Sequence, residues 1–578
     1  MASEKLRAKV EEYETYIAQN GFNEDVIDAY QMASEIALLT EKDREYGLKL
    51  TARTKNLIEK LVYVKSEGGS MWELEKYCFE NKTNYAILDK YYSILLLEAQ
   101  HMVLDSYFRY LEKKREPRER FYVPKRKQFW KIGLIQNLQD MLDDKADILC
   151  ISLPPSSGKT TASKFFISGV IGWFPKEYNL FFSHSGDIAR MYYDGVYDIV
   201  SNPEEYTWGE IFPRLKITST NAKMQQFNVG KYKPFPSLQC TSRGSNNAGV
   251  VRASKFLMVD DLIAGIEEAL NKNMLDKLWN IYTVDARQRK TDGCKEIHIA
   301  TRWSVHDVIG RLQREYEGSD RVRFISVPDI DEETGKSNFD YEFNGFTEEF
   351  YADQEKLMDD ISYRCLYRQE PIEREGLLYH EEDLRRYLQL PDREPDAILG
   401  ICDVKNKGTD YMFLPCCYQY GDDYYLVDCV CDNDADFGVQ EDKVSGVILD
   451  NNMQQCQFEA NNGGDRFGAN IMERVKAAGG RCNITTKFTE SNKETKIIVN
   501  ADWVKKHVLF KDKSMYTDKE DYGVMMRFLL SYSISGKNPV DDVPDGMAQL
   551  ALMVTNGGRF ATVEAIRNPF GGGYAVGY

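Results

Sequence analysis

The sequence predicts an α/β protein of three parts: a helical N-terminal region, a domain with a parallel sheet, and a second domain whose sheet begins with antiparallel strands. Up to about residue 115, apolar residues recur every three or four positions, which is typical of amphipathic helices. From about 145 to 330, short β-rich runs alternate with helical stretches, which indicates parallel strands covered by helices. After residue 397, three β-rich runs follow one another across short polar turns, and such short connections allow only antiparallel neighbours.

Length and composition narrow the class of protein. The 578 residues are too many for one hydrophobic core, so two or three domains are expected. No run of 18 or more apolar residues occurs and the N-terminus does not resemble a signal peptide, so no membrane partner is expected. The twelve cysteines lack paired C-x-x-C sets, which favours reduced thiols in a cytoplasm over zinc ligands. The net charge of −17 argues against a broadly basic nucleic-acid coat, but it is compatible with a local basic channel and with carboxylates gathered for metals.

A candidate phosphate-binding loop lies in ISLPPSSGKTTASKFF, although Leu153 stands where such loops usually carry their first glycine. An apolar strand precedes the loop and a helix without early Gly or Pro follows, so backbone N–H groups would face phosphate oxygens. Lys159 would neutralise the β- and γ-phosphates of ATP, and the Thr160 hydroxyl would hold Mg²⁺. The predicted phosphate-binding residues are Ser157, Gly158, Lys159, Thr160 and Thr161.

The run FLMVDD predicts a strand that ends in two acids. Taken alone, such an ending is usually no more than a strand end before a loop. Because it lies roughly a hundred residues after the phosphate loop, it is also what an ATP site requires. Asp260 would then bind Mg²⁺ through water, and Asp261 stands where a catalytic carboxylate often follows.

Three acids at element ends predict a second site in the C-terminal part. Asp403 follows one apolar strand and Glu459 closes another, an unusual place for a charge unless something pairs with it. Asp545 opens an apolar helix in PVDDVPDGMAQLALMV, with Asp542 as the competing residue. Carboxylates from two strands and a helix can converge on two Mg²⁺ or Mn²⁺ ions about 4 Å apart, the arrangement used for phosphodiester hydrolysis. Asp410 could assist, although KGTD is equally well a turn.

Taken in order, these segments resemble the large terminase subunits of tailed bacteriophages. LPPSSGKTT resembles the ATP loop of that family, and FYVPKRKQFW resembles its adenine-binding segment, which implies that Gln128 recognises the base with Arg126 beside it. VDDLIAGIEEA resembles the second ATPase motif. IHIATRWSVHDVIGRL resembles the coupling segment, which implies that Thr301 senses the γ-phosphate. The resemblance runs from about 120 to 555 and leaves the N-terminal helices outside.

The resemblance implies a DNA-packaging motor joined to a nuclease. ATP hydrolysis would drive duplex DNA into a prohead, and a ribonuclease H-like domain would cut concatemeric DNA when packaging starts and ends. In that domain Asp403, Glu459 and Asp545 match the three metal-binding acids. One alternative is a helicase-nuclease of repair or restriction type, and another is a nonenzymatic virion protein with relic sites. The expected parts are a helical region at 1–118, a P-loop ATPase domain at 119–335, a linker at 336–396, a nuclease domain at 397–560 and a flexible tail at 561–578.

The resemblance also implies partners and a location. The partners would be double-stranded DNA, the portal protein of the prohead and a small terminase subunit, for which the N-terminal helices are a candidate site. The chain would form a ring of identical subunits when active and be a monomer in isolation. It would act in the host bacterial cytoplasm, transiently at the portal, and would be absent from the mature virion.

Two departures from the family's pattern change the expected roles. Many members carry an arginine inside the ATP loop, where this chain has two serines. The cation that stabilises the transition state must then come from elsewhere, and Arg252 of a neighbouring subunit is our first candidate, ahead of Arg243. Asp261 replaces the more usual glutamate, so Glu267 or Glu268 could instead polarise the attacking water.

Overall fold

The structure is a computed structural model that describes residues 2–65, 68–245, 252–371, 377–404, 411–434, 436–460, 464–488, 492–534, 538 and 540–556. Asp410 and the predicted tail at 561–578 lie outside the described residues. The chain forms two compact units. The first consists of Met1–Gln354 and Arg364–Pro371, and the second of Glu355–Tyr363 and Ile372–Tyr578.

The N-terminal region is helical, as predicted. Its apolar side chains join one hydrophobic core with those of the first sheet and its helices, so the region is packed into the first unit rather than appended to it. All eight residues of one short helix, Leu104–Leu111, are buried. None of the helices among the described residues is long and apolar enough to cross a bilayer. The helices that precede the first strand are α1 (Ala2–Asn20), α2 (Glu24–Leu38), α3 (Arg44–Lys65), α4 (Met71–Asn81), α5 (Ala86–Gln100), α6 (Leu104–Leu111), α7 (Arg126–Lys131) and α8 (Leu134–Leu142).

The first sheet has eight strands in the order β3-β4-β5-β2-β6-β7-β1-β8. All neighbours are parallel except β3 with β4 and β4 with β5. Every residue of β1, β2, β6 and β7 is buried, because helices cover both faces of a parallel sheet. The strands are β1 (Ile148–Ser152), β2 (Asn179–Ser183), β3 (Ile217–Asn221), β4 (Gln226–Val229), β5 (Leu238–Ser242), β6 (Phe256–Asp260), β7 (Lys295–Ile299) and β8 (Val322–Ser326). The accompanying helices are α9 (Lys159–Trp173), α10 (Gly186–Ser201), α11 (Trp208–Ile211), α12 (Ile266–Ala269), α13 (Lys272–Asn280) and α14 (Val308–Glu315).

The second sheet has seven strands in the order β14-β13-β10-β11-β12-β15-β9. As predicted, β10, β11 and β12 are antiparallel neighbours. Strand β13 adds beside β10 in parallel, and β14 adds beside β13, also in parallel. The strands are β9 (Arg385–Tyr387), β10 (Ala397–Cys402), β11 (Met412–Tyr420), β12 (Asp423–Asp432), β13 (Gln455–Glu459), β14 (Asn483–Lys487) and β15 (Val508–Lys511). The helices after β8 are α15 (Glu348–Leu357), α16 (Asp360–Tyr363), α17 (Phe437–Asp450), α18 (Gly464–Ala477), α19 (Lys493–His507), α20 (Asp521–Ser531) and α21 (Asp542–Asn556).

The predicted fold class is confirmed: a helical region precedes an α/β part with a largely parallel sheet, and a second α/β part follows. The segment that the sequence suggested as a linker contains one strand of the second sheet, since β9 pairs in parallel with β15. A three-residue edge strand leaves no periodic pattern in a sequence. Eleven of the twelve cysteines are buried, which fits thiols packed inside the folded chain.

Candidate functional site

The candidate phosphate-binding loop lies between β1 and α9, at the carboxyl edge of the first sheet. Gly158 has φ of 102°, and a Cβ atom there would lie 2.8 Å from Cε2 of Phe121, so both the turn and the close approach require glycine. Lys159 begins α9, and its Nζ donates to the carbonyl oxygen of Leu153 at 2.8 Å. The buried Ser157 hydroxyl has no hydrogen-bond partner among the described residues. A phosphate oxygen at the start of α9 would satisfy this hydroxyl and the helix N–H groups together.

Thr160 and Thr161 occupy the first turn of α9. The Thr160 hydroxyl points across the edge of the sheet and donates to Oδ2 of Asp260 at 3.4 Å. The carboxyl ends of β1 and β6 meet at this edge because both strands run parallel to β7, which lies between them. The structure therefore brings together the two residues that the sequence predicted as the ligands of Mg²⁺.

Asp260 and Asp261 have different surroundings. Asp260 is 4% exposed, and its burial, followed by the charge of Asp261, raises its pKa to about 7. Asp261 links the ends of β6 and β7, because its amide donates to the carbonyl of Ile299 at 2.8 Å and its Oδ1 accepts from the amide of Thr301 at 3.0 Å. Thr301 is buried directly beside the second acid, although the two residues are far apart in the sequence.

The two arginine candidates also differ. Arg243 forms a two-pronged ion pair with Glu268, with contacts of 2.6 Å and 3.0 Å, and Glu268 also accepts from the amide of Ala264. The guanidinium of Arg243 and the carboxylate of Glu268 are therefore already engaged with each other. Arg252 is exposed and forms no ion pair with another residue that the structure describes, and Glu267 is exposed.

The candidate base-binding segment carries one unpaired polar atom. Nε2 of Gln128 donates to the carbonyl of Asp340 at 2.8 Å, whereas its Oε1 is buried and has no partner among the described residues. Arg126 pairs with an acid of the helical region: its Nε and Nη2 contact the two carboxylate oxygens of Asp105 in α6 at 2.7 Å and 3.0 Å. Although burial opposes it, Arg126 holds the pKa of Asp105 well below its usual range.

Two acids of the helical region hold this segment in place, and the sequence analysis missed both. Asp105 binds Arg126 and also accepts from the indole of Trp130 at 3.0 Å. Glu112 is fully buried just after α6 and accepts three consecutive backbone N–H groups, from residues 121, 122 and 123, at 2.6 Å, 2.9 Å and 3.1 Å. The available signal was the run LDSYFRYLE, in which charged residues interrupt an otherwise apolar helix.

A cluster of three acids lies at the carboxyl edge of the second sheet. Asp403 follows β10 and Glu459 ends β13, and these strands are parallel neighbours, so the two residues emerge side by side. Asp545 lies in the first turn of α21. One ligand oxygen from each of Asp403, Glu459 and Asp545 lies within 4.8 Å of the others. Burial, followed by the charge of Asp545, raises the pKa of Asp403 well above its usual range, and burial raises that of Asp545. A divalent cation would relieve this crowding of like charges.

The residue after Asp545 explains how α21 reaches the sheet. A Cβ atom at Gly546 would lie 2.4 Å from Cδ1 of Phe413 in β11, so glycine is needed for this close approach. Phe413 in turn exchanges backbone hydrogen bonds with Asp403. Asp542, the competitor of Asp545, lies beside the cluster: its Oδ2 accepts from the amide of Tyr411 at 2.9 Å and its Oδ1 pairs with a lysine.

Three further side chains contact the acids and were not predicted from the sequence. Nε2 of Gln549 donates to Glu459 at 2.7 Å and to Asp545 at 3.1 Å. Two lysines of α19, Lys493 and Lys496, lie against the first turn of α21. Gln549 could have been found from its spacing, since it lies one helical turn after Asp545. The lysines could not, because nothing in the sequence places α19 beside α21.

Structure comparison finds similarity to large terminases of bacteriophages. The large terminase of a thermophilic bacteriophage, in complex with ADP, is 10% identical, with a TM-score of 0.36, and the match covers 76% of this chain and 100% of that one. The bacteriophage HK97 large terminase is 9% identical, with a TM-score of 0.31, and the match covers 73% of this chain and 94% of that one. The large terminase nuclease from the thermophilic phage G20c is 17% identical, with a TM-score of 0.21, and the match covers 30% of this chain and 94% of that one. These structures come from the family that the sequence motifs resemble. No protein-family model matches the sequence, and no curated protein matches it.

Proposed function

We propose that this chain is the ATPase and nuclease subunit of a viral DNA-packaging motor. The observation that carries the proposal is that one chain holds two separate sites, each at the carboxyl edge of its own sheet. One is a loop suited to phosphate beside an acid suited to Mg²⁺, and the other is a cluster of three acids. A motor that moves duplex DNA and then cuts it needs one site for ATP hydrolysis and another for DNA cleavage. The order of the sequence motifs supports the same function.

ATP hydrolysis is proposed at the edge formed by β1, β6 and β7. Lys159 would exchange its contact with Leu153 for the β- and γ-phosphates. Thr160 and Asp260 offer a hydroxyl and a carboxylate oxygen 3.4 Å apart, a donor set that fits Mg²⁺. Bound there, Mg²⁺ would neutralise charge that develops on the phosphate oxygens. Asp261 would orient the attacking water, and its hydrogen bond to the amide of Thr301 supports a coupling role for that residue.

Recognition of adenine is proposed at Gln128. Its buried Oε1 can accept a hydrogen bond from the amino group of adenine, while Nε2 remains fixed by the carbonyl of Asp340. Guanine carries a carbonyl oxygen at that position and would leave Oε1 without a donor. ATP should therefore be preferred over GTP.

DNA cleavage is proposed at the cluster of Asp403, Glu459 and Asp545. Their oxygen atoms fit Mg²⁺ or Mn²⁺, both of which prefer carboxylate ligands. The metal would supply a water of lowered pKa and neutralise the scissile phosphate. Gln549 would orient two of the carboxylates, because it donates to Glu459 and Asp545 at the same time.

The proposed partners follow from this function. They are double-stranded DNA, the portal protein of the prohead and a small terminase subunit, with other copies of the chain forming a ring in the host bacterial cytoplasm. Arg252, which is exposed, is proposed as the cation that one subunit supplies to the ATP site of the next. The ring would hydrolyse ATP faster than the isolated chain.

The decisive experiment is DNA packaging in vitro with purified proheads. The full chain should protect duplex DNA from added nuclease in an ATP-dependent manner, and Lys159→Ala should not. A strand-displacement assay on the same preparation separates this function from a helicase-nuclease, because a packaging motor moves along duplex DNA without unwinding it. Unwinding without packaging would refute the proposal.

A further inference from the structure

The first turn of α19 carries two lysines where a helix disfavours them. Lys493 is the first residue of α19 and Lys496 is the fourth, so both ammonium groups lie near the positive end of the helix dipole. The side chain of Lys496 is also only 3% exposed, and a buried ammonium is unfavourable unless it is paired. These positions require a compensating partner.

The partner is the acidic first turn of α21. Nζ of Lys496 lies 2.6 Å from Oδ1 of Asp545, whose side chain is 4% exposed. Nζ of Lys493 contacts Asp541 at 2.7 Å and Asp542 at 3.0 Å, and it lies 4.0 Å from Asp545. The acid that α21 contributes to the cluster therefore already has an ammonium group in direct contact.

We propose that Lys496 is a resident cation of the nuclease cluster, which neutralises Asp545 before any metal binds and so lowers the affinity of the cluster for divalent ions. The inference rests on the proposed nuclease function. When ionised, Asp403, Glu459 and Asp545 carry three negative charges, and Lys496 cancels one of them. A single divalent ion then neutralises the remainder. Without the lysine, the same ion would meet all three charges in a partly buried site, where charge interactions are stronger than in water.

Lys496 and Gln549 together position Asp545, and Gln549 keeps its contact when the charge of Lys496 is removed. Lys496 forms an ion pair with Oδ1 of Asp545, and Gln549 donates a hydrogen bond to Oδ2. These contacts hold the carboxylate at the cluster without a bound metal ion. The site is thus assembled in advance, and Lys496 must share Asp545 with the metal or release it when the metal arrives.

The test measures Mn²⁺ binding to the full chain in the absence of nucleotide, by titration calorimetry and by the electron paramagnetic resonance signal of free Mn²⁺. Lys496→Met keeps the aliphatic stem and removes the charge. Its affinity for Mn²⁺ should be tighter than that of the wild type by about tenfold or more. The control is Lys505→Met in the last turn of the same helix, where the lysine pairs with Asp383 at 2.8 Å. That control should leave the affinity unchanged.

Three outcomes decide the matter. Unchanged or weaker Mn²⁺ binding by Lys496→Met, with the thermal midpoint showing a folded protein, would overturn the role of Lys496. If Lys496→Met unfolds in metal-free buffer, Mn²⁺ should raise its thermal midpoint more than that of the wild type, and an equal or smaller rise would also overturn the role. Asp403→Asn should lose the nuclease-site signal in either background. Full binding by Asp403→Asn would refute the nuclease site itself, and the inference with it.

Discussion

Removing the carboxylate of Asp105 should damage both the stability of the first unit and its affinity for ATP. Asp105→Ala deletes the two contacts to Arg126 and the contact to Trp130, and it also removes the acceptor of the buried Tyr122 hydroxyl. Hydrogen bonds to a charged group contribute about 1.5–3 kcal/mol each, and a buried donor left unpaired costs about 1–3 kcal/mol. The Arg126 side chain is 40% exposed and can regain hydrogen bonds to water, which lowers the total loss in the free energy of unfolding. We expect Asp105→Ala to lower the free energy of unfolding of the first unit by about 3 kcal/mol.

The assays are thermal unfolding and steady-state ATP hydrolysis. The unfolding midpoint of the first unit should fall by about 4 °C. The KM for ATP should rise about tenfold, which corresponds to one lost contact of about 1.4 kcal/mol, because Gln128 lies on the segment that Asp105 holds. The kcat at saturating ATP should change less, since Asp105 touches none of the proposed reacting groups.

A matched control distinguishes this effect from the loss of any ion pair. Asp147 pairs with Arg321 at 2.6 Å in the same unit, but the two side chains are 50% and 47% exposed. Asp147→Ala should therefore cost no more than about 1 kcal/mol and leave the KM unchanged. If Asp105→Ala lowers the midpoint and leaves the KM for ATP within twofold of the wild type, Asp105 only supports the fold and the positioning argument is wrong.

Three other predictions concern the proposed sites. Lys159→Ala should abolish ATP turnover and spare Mn²⁺-dependent cutting of plasmid; turnover within about tenfold of the wild type, or roughly 1.4 kcal/mol in barrier, would contradict the loop assignment. Asp403→Asn should abolish cutting and spare turnover, and robust cleavage by this variant would contradict the acid cluster. Arg252→Ala and Lys159→Ala should each be unable to hydrolyse ATP alone, but mixed rings should recover ATP hydrolysis where one intact loop meets one intact arginine. No recovery at any ratio, with assembly confirmed, would show that Arg252 is not the cation supplied to the next subunit.

The sequence predicted the fold class from its hydrophobic patterns, and it predicted the acids from their positions at the ends of apolar runs. The structure places Asp403 and Glu459 side by side because they end neighbouring parallel strands. Thr160 lies near Asp260 because the carboxyl ends of β1 and β6, on either side of β7, meet at one edge of the first sheet. The sequence could not choose between Asp542 and Asp545, since both lie in the first turn of one helix and only the packing of α21 on β11 brings one of them to the cluster.

The remaining site contacts could not be predicted because they join elements whose packing the sequence does not encode locally. Arg126 was expected beside the base, but it binds an acid of α6 that follows no strand and fits no motif. Lys496 carries no signal at all, because a lysine near the start of a helix is ordinarily at the surface. The ion pair between Arg243 and Glu268 was not predicted either, because the sequence analysis considered these two residues for separate roles. Side-chain partners across a tertiary interface are the part of a site that motifs omit.

The burial of α6 on all its faces bears on how the protein can be divided for experiments. Tyr107 and Phe108 of α6 pack against aromatic side chains that include Trp173 and Phe165 of α9, the helix that begins at the phosphate loop. A shortened chain that starts at residue 119 would expose this aromatic surface to water, and proteins with such surfaces aggregate. The smallest soluble piece that retains the proposed ATP site should therefore begin with the N-terminal helices, even though the recognisable motifs begin after them.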